Sequence, residues 1–157
     1  MSTLKTLYGT ANQPITCTIT SLADQSYRQS TAVDNSTNLY LDVLVTVKGK
    51  SNAAGVSSTG KLEIFAYAST DGSSYDGSCT GTDGSYTPPS TPTNLSYLGV
   101  LNLTGNAVTD QRTFSLAQAY GGSIPTKWGI VVYNATAASL DAAVGSAWYQ
   151  GIQAQTV

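Results

Sequence analysis

Leu39-Tyr40-Leu41-Asp42-Val43-Leu44-Val45-Thr46-Val47 is the stretch whose reading decides the fold. Every odd position from 39 to 47 is aliphatic, and the even positions are polar or amphipathic apart from Leu44. Successive side chains on a strand point to opposite faces, so one face of this run reads as core and the other meets solvent or a partner. Lys48 to Gly60, rich in Gly, Ser and Asn, reads as a hairpin connection. The chain then returns through Lys61-Leu62-Glu63-Ile64-Phe65-Ala66-Tyr67-Ala68-Ser69, with Leu62, Ile64, Ala66 and Ala68 inward.

The same period of two recurs on both sides. Ile15, Cys17 and Ile19 share one face of Ile15 to Thr20, and a less regular strand is expected within 25–33 around Tyr27 and Val33. Leu95 to Leu103, Asp110 to Leu116, the near-continuous apolar run Trp128 to Asn134, and Ser146 to Gln153 supply the remaining strands. Ala117 to Gly122 reads as one helical turn. No segment of ten or more residues carries a helical period. The expected fold is all-β, a two-sheet antiparallel sandwich of jelly-roll type with about eight strands. Val43, Val45, Ile64, Phe114, Trp128, Ile130 and Val132 are the predicted core. An immunoglobulin domain fits less well, because its Trp packs on a disulfide between strands and Cys79 lies in a loop.

A chain of 157 residues suits one domain. Residues 1–13 read as an extended N-terminal arm whose sizeable apolar groups are Leu4, Leu7 and Tyr8. Residues 14–157 read as a single β-sandwich with a long irregular loop at 70–94, and loops of that length are usually functional or mobile. Cys17 and Cys79 read as free thiols, the first buried and the second exposed, with a pairing between them left open.

Composition narrows the function. Charged residues make up 10% of the chain against roughly 25% in an ordinary globular domain. The formal charge is −2, and the basic residues Lys5, Arg28, Lys48, Lys50, Lys61, Arg112 and Lys127 are scattered. A nucleic-acid groove needs such charges together, so no nucleic-acid partner is expected. No apolar run approaches the ~20 residues of a membrane span, and Met1 to Leu7 lacks the apolar segment of a secretory signal, so neither membrane nor secretion is expected. The chain has no histidine, and Glu63 is its one glutamate. The usual general base and the commonest transition-metal ligand are therefore missing, and the chain reads as non-enzymatic.

Asp71, Asp76 and Asp83 lie close together on a glycine-rich loop, where oxygen ligands could hold calcium. Their spacing matches no EF-hand loop, so they are read first as turn formers, and no cofactor is expected. The aromatic residues carry more information. Ten tyrosines stand against two phenylalanines and two tryptophans. Tyrosine pairs an apolar body with a polar tip and suits half-wet interfaces. Tyr75 and Tyr86 in the long loop, and Tyr8, Leu4 and Leu7 in the arm, are the candidate contact residues.

Several segments together carry a family likeness. They are Ser69 to Gly77 (a near match to a strand ending in Ser-x-Asp-Gly-x-x-Tyr-x-x-Gly), Tyr97 to Leu103, the strand ending in Phe114-Ser115-Leu116-Ala117, Pro125 to Asn134, and Trp148 to Gln155. Over roughly residues 38–155 this arrangement resembles the jelly-roll cement, or decoration, proteins of tailed bacteriophage capsids. The Pro-containing stretch at 78–94 has no counterpart in it. The resemblance implies a virion structural protein, made in the host cytoplasm and placed on the capsid exterior. It would bind the major capsid protein as a homo-dimer or homo-trimer. A carbohydrate-binding module or tail-associated adhesin, with a glycan as partner, is the alternative that shares the sandwich and the exposed tyrosines.

Overall fold

A computed structural model describes residues 3–90 and 93–156. Its strands are β1 (Leu4–Tyr8), β2 (Gln13–Ile15), β3 (Tyr27–Gln29), β4 (Val33–Asp34), β5 (Asp42–Lys50), β6 (Lys61–Ser69), β7 (Gly84–Tyr86), β8 (Ser96–Asn102), β9 (Thr109–Ser115), β10 (Lys127–Ala135) and β11 (Gly145–Thr156). One short helix, α1 (Leu116–Ala119), follows β9, with the Ser115 side chain accepting from the Gln118 N–H as its cap.

The strands form two antiparallel sheets. The first runs β1-β11-β5-β9, with β2 beside β1 on the same flank of β11. The second runs β7-β3-β10-β6-β8, with β4 continuing the line of β3 along β10. Leaving out the edge additions β1 and β7, the sheet β2-β11-β5-β9 faces β3/β4-β10-β6-β8. Early strands pair with late ones, as when a long hairpin is wound over itself, and this is the jelly-roll connectivity. The fold class read from the sequence is correct. The count rises to eleven because the second predicted strand divides into β3 and β4, and because β1 and β7 form on segments read as arm and loop.

The core lies between the sheets. Val43, Val45, Val47, Leu62, Ile64, Ile130, Val132 and Trp128 are fully buried, and Phe114 nearly so. Complete burial of each such aliphatic side chain is worth about 1.5–3 kcal/mol. The Trp128 ring meets Tyr149 edge-on with centroids 5.4 Å apart. Its indole N–H is buried with no hydrogen-bond partner among the described residues.

Three sequence readings change. The connection from 51 to 60 is not a hairpin. β5 pairs with β11 and β9, whereas β6 pairs with β10 and β8, so the chain crosses from one sheet to the other. Two strands with equally apolar faces can serve one core from opposite sides, and alternation alone cannot separate that from pairing. Next, β5 starts at Asp42, so Leu39 and Leu41 are not core. Leu39 has φ +51°, and the Asn35 side chain bonds both the N–H and the C=O of Tyr40, closing a turn before the strand. Last, the ladder of the first predicted strand stops at Ile15, although Ile15, Cys17 and Ile19 are still buried alternately.

Over its described residues, which leave out 91 and 92, the 70–94 segment is not an open loop. It makes a single 3-10 turn at Asp76–Ser78, adds β7 to the edge of the second sheet, and lies over that sheet's outer face. Beneath it Tyr67, Cys79, Tyr86 and Val131 form a separate buried cluster, flanked by Tyr27, Phe65, Tyr75 and Leu95. Tyr67 is fully buried, its hydroxyl donating to the Ser30 carbonyl at 2.6 Å. Gly129 on the neighbouring strand makes room for that ring, since a Cβ there would overlap it.

Candidate functional site

The predicted contact residues separate into two groups. Leu4, Leu7 and Tyr8 lie on β1, whose five residues are all exposed. β1 pairs residue for residue with the last part of β11, from Tyr8 opposite Ile152 to Leu4 opposite Thr156. Its other edge pairs with no described strand. The arm is thus laid along β11 as an edge strand. Leu39 and Leu41 join it on the far side of β11, where the Leu41 N–H donates to the Ile152 carbonyl and the Gln153 amide to the Asn38 carbonyl. Among the described residues six large apolar side chains are exposed: Leu4, Leu7, Tyr8, Leu39, Leu41 and Tyr97. All but Tyr97 sit at this one end of the first sheet. Leu39 and Leu41 were missed as contact residues because the alternation that marks β5 runs through them unbroken.

The loop tyrosines behave differently. Tyr86 is 7% exposed and its hydroxyl donates to the Gly77 carbonyl at 2.7 Å, so it is a packing residue and not a contact residue. Tyr75 is half-buried, edge-on to Tyr67 with centroids 5.6 Å apart. Cys79 is buried as well, which corrects its reading as an exposed thiol; Cys79 and Cys17 are both free. Burial pushes each thiol up to about 12, so neither is a poised nucleophile.

The three aspartates do not converge on a cation. Asp71 takes the N–H groups of Ser74 at 2.7 Å and Ser73 at 2.8 Å, and these bonds hold its carboxyl well below the usual range. Asp76 accepts from the Ala68 N–H at 3.1 Å. Asp83 forms a two-pronged pair with Arg28 at 2.6 and 2.7 Å and also takes the N–H and hydroxyl of Thr18. The Arg28 hydrogen bonds hold the Asp83 carboxyl down at about 2. Each carboxylate fastens a turn or an edge, and no group of three possible metal ligands occurs among the described residues.

Three hollows mark the surface near these elements. The largest, about 510 Å³, lies between residues 18–26 and β7, with Arg28 and Tyr27 in its wall. A pair of smaller ones flanks Trp148 on the outer face of the first sheet.

No family model and no curated protein matches the sequence. Among solved structures the chain is similar to a mutant xylanase 10C of Cellvibrio japonicus in complex with xylopentaose, at 14% identity and a TM-score of 0.33. The match covers 99% of this chain and 28% of that one. A likeness of that size carries no argument about fold or function.

Proposed function

We propose that this protein is a capsid cement protein: a non-enzymatic virion component that binds the major capsid protein on the outer shell and stabilises it, acting as a dimer or trimer. The observation that supports this reading is the open end of the first sheet. A free strand edge and five exposed large apolar side chains occur together there, on a molecule whose other large apolar groups are mostly covered. A free edge offers backbone N–H and C=O groups for strand addition, and flanking leucines and a tyrosine supply the apolar contact that such pairing needs. Lys5 is the one charged residue on β1, which leaves the edge weakly guarded against pairing.

Co-sedimentation of the full-length protein with undecorated capsids of the parent particle tests this. Saturable binding is expected, and a Leu4→Ser, Leu7→Ser, Tyr8→Ser variant should bind at least tenfold more weakly, about 1.4 kcal/mol. Full-length protein that leaves such capsids bare would overturn the reading. Recognition of a glycan by that same arm, with no capsid binding, would put the adhesin in its place.

A further inference from the structure

The outer face of the first sheet carries Trp148 on β11 and, on the added strand β1, Tyr8 opposite Ile152 at the far end. Trp128 is fully buried in the core. The tyrosines on the outer face of the second sheet lie under the 70–94 segment or meet another ring, Tyr27 stacked on Tyr133 and Tyr97 edge-on to Phe65. Trp148 is half-buried and makes no ring contact among the described residues.

Register places its neighbours. Trp148 pairs with Thr46 on one side and Pro14 on the other, and Thr46 pairs with Thr113. The four residues make one row across the strands, about 14 Å long at the usual strand spacing. The Thr46 and Thr113 hydroxyls are 2.8 Å apart and bonded to each other. Gln150 and Leu44 form the next row, with the Gln150 amide donating to the Gly9 carbonyl and so tied to the rim. A hollow of about 240 Å³ lies on the Thr46–Thr113–Gln150 side of the indole, and one of about 370 Å³ on the Pro14–Ser146 side. Asn12 lines both.

We infer that this row is a binding site for a neutral oligosaccharide, with Trp148 as the platform on which one pyranose ring lies. The chemistry of the lining selects the ligand class. A sugar ring presents an apolar face of C–H groups and a rim of hydroxyls, so it needs a flat aromatic surface ringed by donors and acceptors. Here the indole is ringed by two threonine hydroxyls, a serine hydroxyl and two side-chain amides. No charged side chain lines either hollow, which disfavours an ionic ligand. Hollows on both sides of the ring suit a chain of sugars laid across the strands better than a single sugar. The larger hollow by β7 lacks such a platform, because Tyr27 is already stacked on Tyr133 at 4.3 Å and Arg28 is already paired with Asp83. The inference does not rest on the capsid reading, since β1 and the leucines at 39 and 41 take no part in it.

Intrinsic fluorescence of the full-length protein titrated with cellohexaose, mannohexaose and chitohexaose tests the site. At least one of these should shift the emission of Trp148 saturably, with a Kd no weaker than about 1 mM. Trp148→Ala should weaken that binding at least tenfold by calorimetry, and Trp148→Tyr should restore part of it. Because Trp148→Ala removes a cross-strand packing residue, Thr113→Arg provides a second variant: Thr113 is exposed, a long cation there should block the row, and the lost hydroxyl bond to Thr46 should lower the melting temperature by only about 2–4 °C. No response to any of the three sugars up to about 5 mM overturns the inference. So does binding that survives both Trp148→Ala and Thr113→Arg.

Discussion

The N-terminal arm and the 70–94 segment look alike as sequence, each polar with a few isolated apolar residues, yet they end in opposite environments. The long segment buries Cys79 and Tyr86 against Tyr67 and Val131 and makes a second small core. The arm pairs with β11 through its backbone and leaves Leu4, Leu7 and Tyr8 exposed. The difference lies in what each crosses. The long segment crosses the outer face of the second sheet, where Phe65, Tyr67, Val131 and Tyr133 are too apolar to be left in water. The arm runs beside Ile152 to Thr156 at the end of β11, where Ile152 is the one large apolar side chain.

That contrast can be broken most sharply at Tyr67. Tyr67→Ala should cost about 3–5 kcal/mol by chemical denaturation, as for other large buried rings. A loss near zero would mean that the segment does not cover the sheet in solution. Tyr86→Phe keeps the ring and leaves the Gly77 carbonyl without its donor, so about 1 kcal/mol is expected.

Acid should weaken the edge beside the second core. Asp83 is held down at about 2 in the folded chain, below its value of 3.8 when free. A depressed folded value means that the unfolded chain takes up the proton first. The Asp83–Arg28 pair therefore contributes its full stability above about pH 4 and loses it as pH falls toward 2. Asp83→Asn should flatten that part of the melting-temperature profile; an unchanged slope would assign it to other carboxylates.

The smallest effect on stability belongs to the arm. Deleting residues 1–8 removes one exposed ladder and should cost less than about 1 kcal/mol. A large drop in melting temperature would show that β1 belongs to the fold's core stability and not to its contact surface.

Period-two alternation was enough to place the long strands and most of the core, but not the short edge strands β1, β2 and β7. Val43, Val45, Ile64, Phe114, Trp128, Ile130 and Val132 are all buried in the main cluster. It was not enough to say which strand pairs with which, so β5 and β6 looked like a hairpin. Alternation reports that a strand has two unlike faces, but not which neighbour shares its edge. The candidate surface was half legible. Leu4, Leu7 and Tyr8 stood out as apolar residues in a polar segment, whereas Leu39 and Leu41 were hidden by continuity with β5.

What the sequence by itself determined is the class of fold and the inward face of most of its strands, because both follow from local period and turn chemistry. Tertiary structure alone decided which apolar residues off those faces are covered. Whether Tyr86 or Leu41 meets water depends on what a distant part of the chain lays over it. Coverage is a property of non-local packing, and no local pattern of residues encodes it.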